Sequence, residues 1–163
     1  MSSVRSVFSL LLTTAFLLTG HGIHMTFLPL MASDIGLSQT MIGISGSAYF
    51  AGFISGALVT PHIIAKVGHI RGFTTLMAVF LCCFQILPMT DSGAIWILIR
   101  FLLGAVMCGA YTVVESWLSD QADSRTHGRV LAVYTFVVLG ACALGQGLLS
   151  LTYGEAAKVF ALI

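Results

Sequence analysis

The amino-acid sequence predicts an all-α polytopic membrane protein, a transmembrane helix bundle of about five complete helices and the start of a sixth. Three observations predict it. Hydrophobic residues make up 58% of the 163 and charged residues 8%, against about 25% charged in an average soluble domain. With a mean hydropathy of +1.01, a water-soluble fold of this size could not hide its apolar surface, so lipid has to cover much of it. The apolar residues also fall in runs long enough to span about 30 Å of hydrocarbon as helices.

The runs lie at 7–32, 40–65, 72–89, 94–117 and 130–153, and a further apolar stretch begins near Ala156 and reaches Ile163. The first run follows Arg5 in the manner of a signal peptide, but it is too long for one and contains His21, His24 and Pro29, so it reads as a retained helix. The second is rich in small residues, with Gly43, Gly46, Gly52 and Gly56, and Pro61 falls near its end. The third is apolar almost throughout, has Gln85 near its outer end and closes near Pro88, as a lipid-facing helix would. The fourth holds Arg100 and Glu115, with Gly104 and Gly109, and the fifth holds Gly140, Gly145 and Gly147. Small residues let backbones approach where no hydrophobic effect drives helices together. Each proline, near a helix end, can stop or bend its helix with little loss of hydrogen bonding. A polar helix, then a glycine-rich one, then (for the third) an apolar one suggests a three-helix repeat inverted in the membrane.

Orientation follows from the bases. Arg5, Lys66, Arg71, Arg125 and Arg129 lie in the N-terminal tail and the second and fourth loops, and only Lys158 falls on the other side. The first loop (33–39) and third loop (90–93) carry Asp34 and Asp91 and no base. The positive-inside rule therefore places the N-terminus in the cytoplasm of a multi-pass protein of the cell (inner) membrane.

Charges inside the spans are the candidate working parts. Arg100 lies about six residues into the fourth helix, roughly 9 Å along it, where a guanidinium should face protein or a water-filled cavity. Snorkelling beside Trp96 is the structural alternative. His21 and His24 are three apart and share a face of the first helix. Histidine titrates near neutrality, which suits a proton pathway, although hydrogen-bonded packing near Gly20 and Gly22 accounts for them equally. The cysteines Cys82, Cys83, Cys108 and Cys142 sit in apolar runs without ligand spacing, so neither a metal nor a cofactor is expected. The net charge of +1 argues against nucleic acid as a partner. Gly43-Ile-Ser45-Gly46 matches the short GxSG of intramembrane serine proteases, a minor alternative that needs a histidine base on a neighbouring helix.

Three motifs in order resemble the N-terminal half of a major facilitator superfamily transporter. Arg100-Phe-Leu-Leu-Gly104, followed by Gly109, is similar to that superfamily's fourth-helix motif, and Lys66-Val-Gly68-His-Ile-Arg71 sits where its signature loop between helices 2 and 3 belongs. Glu115-Ser-Trp-Leu, then Arg125 and Gly128-Arg129-Val-Leu-Ala-Val-Tyr134, is similar to the junction of helices 4 and 5. Together they resemble a largely uncharacterised bacterial branch, over essentially the whole chain. Ala65 stands where the signature loop has an aspartate and Pro61 where it has a glycine. Gly145-Gln-Gly147 stands where drug antiporters show glycine–proline, so that motif does not support antiport.

The resemblance implies secondary transport of a small-molecule substrate by alternating access, with no enzymatic step. Helices 1 and 4 would line the cavity, and helices 2 and 5 would slide against a second bundle. Arg100, His21 and His24 would serve the substrate or proton pathway. Glu115 and Arg129 would latch with Lys66 and Arg71 as cytoplasmic gating charges, or else stay as solvated interfacial charges of little energetic weight. Gly52, Gly56, Gly104, Gly109, Gly140 and Gly145 would pack helices. The family's usual architecture has twelve helices, so this chain is expected to need a missing C-terminal half, or a second copy of itself, and not to transport alone. A small multi-helix membrane scaffold or a homodimeric half-transporter is the alternative.

Overall fold

The computed structural model describes residues 2–121 and 126–160, with side chains described over 7–120 and 126–152. Five α-helices account for nearly all of it: α1 (Ser2–Asp34), α2 (Gln39–Val67), α3 (His69–Ile86), α4 (Gly93–Gln121) and α5 (His127–Phe160). A short 3₁₀ turn, Leu87–Met89, extends α3. All five helices contain a stretch long and apolar enough to cross a membrane. Serine and threonine hydroxyls along the spans, among them Thr14, Thr19, Ser55, Thr112 and Thr135, donate to the carbonyl four residues earlier. Each hydroxyl is thereby satisfied within its own helix, as hydrocarbon requires.

The helices outrun the apolar stretches that announced them. Lys66 and Val67 end α2, and His69, Ile70 and Arg71 begin α3, so the expected loop contracts to Gly68. Gly68 turns the chain at φ +82°, a left-handed conformation that favours glycine, and its N–H donates to the Ile64 carbonyl at 2.8 Å. Pro29 and Pro61 end nothing: both lie inside their helices, where each forfeits one backbone hydrogen bond. The break expected after 153 is also absent, because α5 continues through Phe160 and no sixth helix starts at Ala156. No proline interrupts Gly154-Glu-Ala-Ala-Lys158, and one interior glycine costs a helix only about 1 kcal/mol. Residues 161–163 and Arg125 lie outside the described residues.

The chain divides into two compact units, one comprising Met1–Met31 with Trp117–Ile163 and the other Ala32–Ser116. In the second unit α2 and α4 meet backbone to backbone. Gly52 rests on the Phe101 carbonyl, Gly56 on the Ala105 carbonyl, and Gly104 on the Tyr49 carbonyl. The seam is reciprocal, since the carbonyl under each of Gly52 and Gly104 belongs to the residue three before the other. Gly109 faces Thr60 and Leu76, and Gly72 faces Ile64, Val67 and Val113, which brings α3 into the same unit. In the first unit α1 and α5 form a seam of identical register: Gly22 rests on the Cys142 carbonyl and Gly145 on the Thr19 carbonyl. Close approach of this kind is how glycine stabilises helix pairs in lipid.

Gly52 and Gly56 of α2 are thus spent inside the unit, on α4, whereas Gly43 and Gly46 of the same helix have nothing within 4 Å of where a Cβ would stand. Gly140 and Gly147 on α5 are open in the same way, with nothing within 4 Å.

Candidate functional site

The most buried face of α4 carries Trp96, Leu103, Met107, Ala110, Val114 and Leu118, all nearly solvent-free. Helical spacing of three and four residues puts Arg100 on that face, and its side chain is 4% exposed. It does not snorkel. The guanidinium carbon lies over the Tyr49 ring of α2, 5.4 Å from the ring centroid. The register of the seam explains the pairing. Gly104, one turn after Arg100, has no side chain to hold off the α2 backbone at Tyr49, so the ring beside that backbone reaches the guanidinium.

The arrangement leaves the charge under-compensated. Burying a guanidinium carries an effective penalty of several kcal/mol, and a desolvated cation–π contact returns only about 2 kcal/mol. Arg100 Nη1 is buried without a hydrogen-bond partner among the described residues, and the residue forms no ion pair among them. The described carboxylates, Asp34, Asp91, Glu115 and Asp120, are all exposed.

His21 and His24 are both buried, with ring centroids 5.8 Å apart and planes 28° from parallel. They lie on the face of α1 that also buries Thr14, Leu18, Leu28 and Ala32. The charges proposed as a latch are placed differently. Lys66, Arg71, Glu115 and Arg129 are all exposed. Lys66, Arg71 and Glu115 form no ion pair among the described residues. What ties the two motifs is His69, whose Nε2 lies 2.9 Å from the Ser116 hydroxyl. Sequence reasoning singled out neither member of that pair, nor Tyr49.

Ser45 of the GxSG sequence is buried and donates its hydroxyl to the Ile42 carbonyl at 2.8 Å, an ordinary intrahelical bond. The histidines of its own unit are engaged elsewhere, His62 near the Leu58 carbonyl and His69 at Ser116. No group of histidine, cysteine and carboxylate side chains among the described residues is placed to hold a metal ion.

Comparison with known proteins adds to this geometry. Residues 10–158 match the Major Facilitator Superfamily. The chain is 31% identical over 151 residues to the "Uncharacterized MFS-type transporter YcaD" of Escherichia coli strain K12, covering 92% of this chain and 40% of that protein. The same protein of E. coli O157:H7 strain EC4115 is similar to the same extent. The chain therefore spans about 40% of the length of these curated relatives. No solved structure gives a match.

Proposed function

Because the chain belongs to the Major Facilitator Superfamily, we propose that it forms the first helical bundle of a secondary transporter. That transporter moves a small solute across a bacterial inner membrane by alternating access, with the N-terminus of this bundle in the cytoplasm. The observation that carries the proposal is Arg100, a buried charge in the first third of an apolar span with a nitrogen left unsatisfied among the described residues. Such groups are expensive in a membrane and mark solute or ion pathways. His21 and His24 supply titratable groups suited to proton coupling, and the exposed bases and Glu115 stand at helix ends where gating contacts form and break.

Alternating access needs a second bundle rocking against the first. A face of α5 is open for it. Gly140, Ala143, Leu144, Gly147, Leu148 and Leu151 line a shallow apolar groove of about 490 Å³. The relatives are more than twice as long as this chain, and the proposal assigns the cover of this face to a further bundle of that kind.

The test is solute flux in cells expressing the complete reading frame that carries these residues, compared with residues 1–163 alone. Intracellular and medium solutes are profiled by mass spectrometry at matched membrane abundance. The complete frame shifts the distribution of at least one solute, Arg100→Ala lowers that flux about tenfold or more, and residues 1–163 alone give none. The absence of any flux from the complete frame, or equal flux from parent and variant, overturns the proposal.

A further inference from the structure

The geometry points to Arg100 and the Tyr49 ring as a subsite for an anionic group, so that the solute carried is a small organic anion bearing a carboxylate or phosphate. The inference rests on the transport reading and adds the class of substrate to it. Three observations converge. The guanidinium is 4% exposed, Nη1 has no partner among the described residues, and every described carboxylate is exposed. A guanidinium stays charged at any physiological pH, so protonation change cannot relieve the imbalance. The guanidinium carbon sits over the Tyr49 ring, and Nη1 is the buried N–H group left for a ligand. A carboxylate or phosphate oxygen is the acceptor that a guanidinium N–H takes most strongly.

The same chemistry could come from a free solute or from an anionic lipid headgroup. The inference commits to the solute. Arg100 is seven residues past the start of α4 at Gly93, or about 10 Å along the helix. It also lies on the helix face shared with the fully buried Leu103 and Met107.

The subsite can be tested by binding alone, which separates its failure from that of the transport reading. The purified full-length protein in a neutral maltoside detergent is titrated with acetate, benzoate and phosphate, and with the neutral acetamide and benzamide. Intrinsic fluorescence from Trp96, one turn from Arg100, and thermal shift are recorded. At least one anion binds saturably and at least tenfold more tightly than its neutral counterpart. Arg100→Gln abolishes that preference and Tyr49→Leu weakens it severalfold. Arg100→Lys, which keeps the charge but not the fork, retains a reduced preference and controls for misfolding. Equal binding of anion and amide, or a preference that survives Arg100→Gln, overturns the inference. Protection in nanodiscs by phosphatidylglycerol, with no response to the free anions, assigns the site to lipid and overturns it as well. Arg100-dependent flux of a neutral solute only would sink the anion subsite and leave transport standing.

Discussion

Adding one methyl group at Gly52 and the same methyl at Gly140 should move stability in opposite directions. At Gly52 a Cβ would strike the Phe101 carbonyl oxygen and lie 2.7 Å from its carbon and 3.0 Å from the Phe101 Cα. Ordinary contacts begin at 3.4 Å, and the oxygen is the tightest of the three, so α2 and α4 must part, an overpacking that costs roughly 1–3 kcal/mol. The loss of about 2 kcal/mol outweighs the 0.5–1 kcal/mol that alanine gains over glycine inside a helix. Gly52→Ala therefore destabilises by about 1 kcal/mol, or roughly 2–4 °C in a chain of this size. At Gly140 nothing lies within 4 Å, so only the helical gain remains, about 0.5–1 kcal/mol in the stabilising direction. Thermal unfolding of both variants in the same micelles, followed by circular dichroism, makes the comparison. Shifts of the same sign at the two positions would refute the reasoning. A loss at Gly140 would show that face covered, and a gain at Gly52 would mean α2 does not rest on α4 there.

Two further outcomes follow from the same geometry. With the native cysteines replaced, Ser92→Cys should react with an impermeant maleimide in intact cells, and Thr126→Cys only after permeabilisation; labelling of the Thr126 site from outside would reverse the orientation drawn from the bases. Arg100→Leu should leave the protein as stable as the parent or raise its unfolding temperature, since replacing a buried charge by an apolar side chain is neutral or stabilises by about 1–4 kcal/mol. A drop of several degrees would instead make Arg100 a structural element of the fold.

The spans were legible because hydropathy reports lipid contact directly, and five candidate spans do appear. Helix ends were less so. Lys66 and Arg71 read as loop because they are charged, yet a charged residue at a membrane interface can stay helical while its head group reaches water. Gly68 alone makes the turn. Pro29 and Pro61 read as boundaries because proline breaks helices in water, whereas a helix in lipid has nowhere better to go. Arg100 stood out as a charge in an apolar run. Tyr49 did not, since an aromatic residue among glycines carries no polar signal, and its place over Arg100 depends on the register of α2 against Gly104. That register is a tertiary fact. It could have been anticipated only by asking what a glycine one turn beyond a buried arginine makes room for.

The two seams share one packing device and differ in whether a charge is buried beside it. In each pair the glycine of one helix rests on the carbonyl three residues before the glycine of the other, Gly52 with Gly104 and Gly22 with Gly145. The packing device is therefore the same, and the residue one turn before the glycine can be compared between them. Opposite Arg100 in this comparison stands Leu18 if α1 is matched to α4, or Ala141 if α5 is. Both are buried apolar residues. A seam of this register closes well without a charge, so close helix approach does not call for one. The second unit nevertheless buries a guanidinium at that position, sets it over the Tyr49 ring and leaves Nη1 without a partner among the described residues. The α2–α4 seam brings Tyr49 to that cation through the register of Gly52 and Gly104, and the anion subsite proposed above rests on this placement of a charge inside an apolar span.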